Sequence, residues 1–234
     1  MATPSTILVE GFTLADAWQK LVKEVMKNGT VLPTEYGPKS KDLCALTVVR
    51  HPYSDPTLHP SFPTRELHLA EYIKQFDRNY DWRKQGFTYT YMDRFTHYPV
   101  DNPFAQDKIE EFDQLALLKN QLTDSFGRRN QIITWVPVVD DMNDEPPCLQ
   151  RIWMRRLNDT DVEMHCDWRS RDLFTAWNSN YIAILTMIKR EILDPLNLKL
   201  VKLVDFCDSL HIYDTDWEEA SKIKTVAVCP MMMR

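Results

Sequence analysis

Glycine is scarce in this chain, with five residues among 234. Where glycine is so rare, each one is expected to mark a turn or a helix cap. No Gly/Ser linker, internal repeat or low-complexity tract breaks the chain, so one domain over 1–234 is expected. Cysteine is also sparse. Cys44, Cys148, Cys166, Cys207 and Cys229 are odd in number, and no two stand at CxxC spacing. That disfavours a disulfide framework and a zinc site, and it fits reduced thiols in a cytoplasmic protein. No uncharged apolar run reaches the ~18–20 residues of a membrane helix. The opening MATPSTILVEGFTLADAW lacks the basic stretch, apolar core and cleavage site of a signal peptide. Positive charge is short as well: 28 Lys and Arg against 34 Asp and Glu leave a net −6. Bulk charge therefore does not favour nucleic acid, although a local cationic pocket is compatible with it.

The composition, 44% hydrophobic and 26% charged, is that of an ordinary globule. Helical spacing puts Leu14, Trp18, Leu21, Val22, Val25 and Met26 on one face, with Thr13 as N-cap and Asn28-Gly29 as stop. DLCALTVVRHP reads as a strand ended by proline. TRELHLAEYIKQF reads as a helix capped by Thr64. Residues 77–106 are aromatic and irregular, the composition of a pocket wall or of loops pinned to a core. DKIEEFDQLALLKNQL predicts a third helix with Ile109, Phe112, Leu115, Leu118 and Leu122 inward. A fourth is expected from about Asn180 to Leu193. Strand-like runs NQIITWVPVV, LQRIWMRRL, VEMHCDWRS and LKLVKLVDFCDSLHIYD fill the second half, and TDWEEASKI predicts a short helix. Without a βαβ rhythm, these elements predict an α+β fold with a large mixed or antiparallel sheet packed with helices.

Several short stretches carry groups capable of chemistry. Cys148 follows two prolines in EPPCLQ; alone, it reads as a small buried apolar residue or a nucleophile. Arg128 and Arg129, beside a turn glycine, can grip a phosphate bidentately or form a solvated surface. Arg169 and Ser170 in WRSRD offer a guanidinium and a hydroxyl to an anion, or make a strand-to-helix turn capped by Asp172. Asn180, at the start of an apolar helix, is a cap or an amide able to read a base edge by donating and accepting. His211 and Tyr213, two apart in a strand, share a face and can meet one ligand hydroxyl.

In order and spacing, Arg128-Arg129, Cys148 after proline, Arg169-Ser170-x-Asp172, Asn180 and His211-x-Tyr213 together resemble the thymidylate synthase family, which includes pyrimidine-nucleotide hydroxymethylases. The resemblance covers 105–217 firmly and the first hundred residues loosely. PPCLQ, RSRDLFTAW and HIYDTDWE look most like compact archaeal-type and phage-type members.

The resemblance implies that Cys148 attacks C6 of the base of a pyrimidine nucleotide 5′-monophosphate. C5, made nucleophilic, then attacks the methylene carbon of a reduced pterin. Arg169 and Ser170 would hold the phosphate. Arg128 and Arg129 would be donated across a homodimer interface. Asn180 would read the uracil edge, and His211 and Tyr213 the deoxyribose 3′-hydroxyl. Asp172 would lie near base and pterin. Glu71, with Glu66 as rival, would manage proton transfer, and Tyr91 would organise water by the cysteine. The co-substrate would be 5,10-methylenetetrahydrofolate or a methanopterin-type analogue. No metal, membrane or nucleic-acid partner is implied. The sequence departs from the family pattern in four places. Leu149 stands where a histidine is frequent, and Met92 where glycine is usual. Lys39 or Lys41 replaces an N-terminal phosphate arginine. The tail reads CPMMMR. Three functions follow: dUMP methylation to dTMP, hydroxymethylation of dUMP (or dCMP or CMP) by water capture, and an inactive nucleotide-binding relative. The intact Cys148, Arg169 and Asn180 weigh against the last.

Overall fold

A computed structural model describes residues 3–63, 66–101 and 109–227. Thr64, Cys229 and the CPMMMR tail lie outside them.

The chain opens with β1 (Thr6–Gly11) and α1 (Leu14–Asn28). The Thr13 side chain accepts the Asp16 N–H, and Asp16 accepts the Phe12 N–H, so two otherwise orphaned donors are satisfied. The expected apolar stripe of α1 is buried, with Met26 at its margin. β2 (Thr30–Pro33) and β3 (Lys39–Val49) follow, then α2 (Glu66–Lys74), α3 (Tyr91–Thr96), β4 (Tyr98–Asp101), β5 (Ile109–Phe112), α4 (Gln114–Asp124), β6 (Gln131–Ile133) and the one-turn α5 (Pro137–Asp140). The second half holds β7 (Leu149–Arg156), β8 (Asp161–Trp168), β9 (Arg171–Asp172), α6 (Trp177–Ile188), a π turn (Lys189–Leu193), α7 (Asp194–Leu196), β10 (Lys199–Tyr213) and α8 (Trp217–Ser221).

The main sheet runs β1-β3-β10-β8-β7-β6, with β2 on β3 and β9 on β10. It is mixed: β1–β3 and β10–β8 are parallel, whereas β10–β3 and β7–β8 are antiparallel. Together with the helices it makes the expected α+β fold. Register sorts the faces. The row Thr47, Asp205, Cys166 and Ile152 points into the helix-covered core. The row Leu8, Leu46, Phe206, Asp167 and Arg151 points the other way and stays at least partly accessible.

Three expectations need correction. The third helix begins at Gln114, not near Asp107. Ile109–Phe112 is a strand paired with Tyr98–Asp101, and Phe112 is exposed. Asp113 caps the helix by accepting the Ala116 N–H, which fixes the start there. The fourth helix begins at Trp177, so Asn180 lies inside its first turn rather than at its cap. Within 77–106, Tyr91–Thr96 is helical, capped by Thr90.

Candidate active site

β10 is the spine of the site. β8 pairs with its first half and β9 with Leu210 and His211, so the chain steps between them through Arg169 and Ser170. A bulge between Cys207 and Leu210 shifts the register there. Beyond it His211 and Tyr213 both face one cavity, their rings edge-to-face at 4.9 Å. That cavity, about 330 Å³, is lined by Cys148, Arg169, Ser170, Asp172, Asn180, His211, Tyr213 and Tyr91, with Glu35, Tyr36, Tyr72 and Trp168 among the other walls. A second cavity of about 370 Å³ also reaches Cys148 and Arg169, against Tyr36, Phe87 and Tyr89. Both flank one half-buried thiol.

The two prolines before Cys148 have a local task. Arg169 Nε donates to the Pro147 carbonyl at 3.0 Å and Nη2 to the Pro146 carbonyl at 2.7 Å. The Arg169 N–H also donates to the Cys148 carbonyl at 3.0 Å. The guanidinium is thereby pinned beside the thiol. Burial pushes the Cys148 thiol above its usual range, and the charges of Arg169 and Arg171 pull it back. Tyr91 fixes the other side: its hydroxyl accepts the Leu149 N–H at 3.2 Å.

Asn180 is held at both ends of its amide. Arg171 Nε donates to Oδ1 at 3.2 Å, and Nδ2 donates to the Tyr72 hydroxyl at 2.7 Å. Arg171 is itself immobilised. It is buried, 3.0 Å from Asp205, donates to the Trp177 carbonyl and lies 3.8 Å over the Trp168 ring.

Asp172 lines the cavity, but its carboxylate accepts the Phe174 and Thr175 N–H groups and the Thr175 hydroxyl, the turn cap that the sequence also allowed. Arg128 and Arg129 are exposed and line neither cavity. Glu71 is not in the cavity. It is exposed and paired with Lys74 at 2.6 Å, because successive helical positions turn by about 100° and Tyr72 takes the inward direction. The side chain of Glu66 lies outside those described. Lys41 donates to the Met26 carbonyl, and neither it nor Lys39 reaches the cavity; the loop presents Glu35 and Tyr36 there instead. Among the described residues, no group of three or more His, Cys, Asp and Glu could hold a metal ion.

The sequence profile of the family described as thymidylate synthase matches residues 77–226, well over half the chain. The chain belongs to the thymidylate synthase family. Proteins named "Putative thymidylate synthase" are similar along nearly the whole length. The one from Methanococcoides burtonii is 28% identical over 92% of this chain and 94% of its own. That from Methanocaldococcus jannaschii is 27% identical, over 90% and 92%. That from Methanothermobacter thermautotrophicus is 25% identical, over 92% and 97%. Membership of the thymidylate synthase family supports one-carbon transfer to C5 of a pyrimidine nucleotide. The cavity around Cys148 holds a thiol, a cation and a side-chain amide.

Sequence reasoning missed Tyr72, Tyr89, Trp168 and Arg171. Arg171 sat unread as the variable position of Arg-Ser-x-Asp. Tyr72 was masked by the carboxylate beside it.

Proposed function

We propose that this protein is a cytoplasmic thymidylate synthase, one catalytic domain over 1–234 that methylates dUMP to dTMP. The observation that carries the reading is the convergence of Cys148, Arg169, Asn180, His211 and Tyr213 on one cavity. The Cys148 thiolate adds to C6 of the uracil and forms an S–C6 bond. The C5–C6 π electrons move toward C5 and the C4 carbonyl, and C5 becomes the nucleophile. Arg169 has Nη1 to offer a phosphate oxygen while Nε and Nη2 hold the proline carbonyls. Ser170 adds a hydroxyl. His211 and Tyr213 meet the 3′-hydroxyl, and Asn180 the base. Tyr91, at the Leu149 amide, stands where it orders water beside the thiol. Asp172, held by its own turn, shapes the wall near base and pterin.

The carbon and hydride come from 5,10-methylenetetrahydrofolate or a methanopterin-type analogue, bound as co-substrate. The working unit is a homodimer in which Arg128 and Arg129 reach the partner's phosphate. Their exposure, and an open sheet face carrying Leu8, Leu46 and Phe206, support that reading.

The test is direct. The purified protein, dUMP and 5,10-methylenetetrahydrofolate are incubated and the nucleotide product is weighed by mass spectrometry. A methyl gain is expected, abolished in Cys148→Ala. A hydroxymethyl gain would replace synthase by hydroxymethylase. No product in either protein, with dUMP or dCMP, would leave only an inactive nucleotide-binding relative.

A further inference from the structure

We infer that Tyr72 is a catalytic residue: its hydroxyl donates to the exocyclic oxygen at C4 of the bound pyrimidine, stabilises the enolate formed when Cys148 adds to C6, and selects uracil over cytosine. The inference rests on the reading of the cavity as a pyrimidine-nucleotide site.

Asn180 fixes which group of Tyr72 is left for a ligand. Its Oδ1 is taken by Arg171, which cannot rotate away because Asp205, the Trp177 carbonyl and the Trp168 ring hold it. The amide is therefore locked with Nδ2 toward Tyr72, and a flip would set Nδ2 against a guanidinium. One Nδ2 proton goes to the Tyr72 oxygen, and the other remains for a ligand. The Tyr72 oxygen is then an acceptor, so its own proton is left to donate, and Tyr72 lines the same cavity as Cys148. Tyr72 stays a donor at neutral pH, since burial pushes its phenol up to about 12. The ring is seated edge-to-face on Phe76, which fixes its direction.

The Tyr72 hydroxyl is thus a donor beside Asn180. A carbonyl oxygen accepts it, whereas a 4-amino group would set its own N–H bonds against it. When the S–C6 bond forms, the C5–C6 π pair is delocalised onto that oxygen, and the charge develops where the Tyr72 hydroxyl donates. No proton needs to move in this step. The thiol proton has already left to solvent, and the phenol keeps its own. This provides charge stabilisation next to the base from a position where Glu71 cannot act.

The experiment compares wild type with Tyr72→Phe, which keeps the ring and its Phe76 contact; matching thermal melts establish that the variant is folded. Calorimetry gives the affinities of both proteins for dUMP and dCMP, and mass spectrometry gives turnover of dUMP with 5,10-methylenetetrahydrofolate. Wild type should prefer dUMP. Tyr72→Phe should narrow that preference by roughly 5–10-fold and lower kcat by about 10²-fold, the scale of losing one preorganised donor, with the loss in kcat exceeding the rise in KM. Turnover within threefold of wild type, or an unchanged dUMP preference, would overturn the assignment of Tyr72 alone. So would a wild type that prefers dCMP, leaving the thiol chemistry standing. A wild type that binds neither nucleotide would overturn the pyrimidine-nucleotide reading and this inference together.

Discussion

Cys148 sits between two opposed effects. Burial disfavours its thiolate, while the charges of Arg169 and Arg171 favour it. Burial wins, so less thiolate is present at neutral pH than on a free cysteine, and reactivity climbs as pH rises toward the elevated pKa. The rate of alkylation by iodoacetamide should therefore rise through pH 7 to 9 and keep rising beyond the midpoint of a model thiol. Arg169→Gln removes the larger of the two counter-charges. Its alkylation should slow by about 3–10-fold at pH 7, with the midpoint moved further up, since one pKa unit is a tenfold change in thiolate. An Arg169→Gln profile that overlays wild type would show that Arg169 does not tune the thiol. The same residue illustrates why neighbours decide chemistry. The carbonyls of Pro146 and Pro147 hold the guanidinium in place, so the dipeptide before the nucleophile also positions its cation.

At the scale of elements, β1 and α1 meet in close contact at Gly11 and Ala17. A Cβ built on Gly11 falls 2.5 Å from Ala17 Cβ and 2.6 Å from the Ala17 backbone. The contact is with backbone, so a side chain there cannot be relieved by a rotamer change. Gly11→Ala should destabilise the protein by about 1–3 kcal/mol in urea unfolding, at unchanged m-value. Stability equal to wild type would mean that the helix slides freely over the strand. The first helix was legible because its N-cap at Thr13 and its 3.6-residue stripe both marked it. The β4–β5 pair was not, because Ile109 and Phe112 happen to fall at helical spacing with Leu115 and Leu118, and periodicity cannot register the Asp113 cap that divides them. The site was legible where a motif named a residue type: Cys148, Arg169, Asn180, His211 and Tyr213 do line one cavity. It was illegible where function depends on rotation about an axis. Glu71 and Tyr72 differ by one position, and only the packing of α2 decides which faces inward. Arg171 was illegible for a related reason: its partners Asp205 and Trp177 come from β10 and α6.

At the scale of the whole molecule, the sheet has one face under helices and one without a comparable apolar cover. The second face carries the rows Leu8–Leu46–Phe206–Asp167–Arg151 and Val48–Val204–His165–Trp153. Its apolar centre, flanked by charge, suits a second copy of the same surface. Arg128 lies at this side too, its carbonyl accepting from Trp153 Nε1 at 2.9 Å. If two chains meet here, each arginine pair is carried toward the partner's cavity rather than its own, and Cys148 and Arg129 of one chain belong to different sites. Complementation distinguishes this from a self-contained monomer. Cys148→Ala and Arg129→Ala should each be nearly inactive alone. Mixed one to one and allowed to exchange, half the dimers are hetero-dimers, each with one site intact and one doubly defective. Activity should therefore return to about a quarter of wild type. Phe206→Asp, which places a charge at the centre of the face, should sediment as a monomer and lose activity at a cavity that it does not touch. Exchange demonstrated by native mass spectrometry without recovered activity would assign Arg129 to its own chain, and a dimeric, active Phe206→Asp would move the interface off this face.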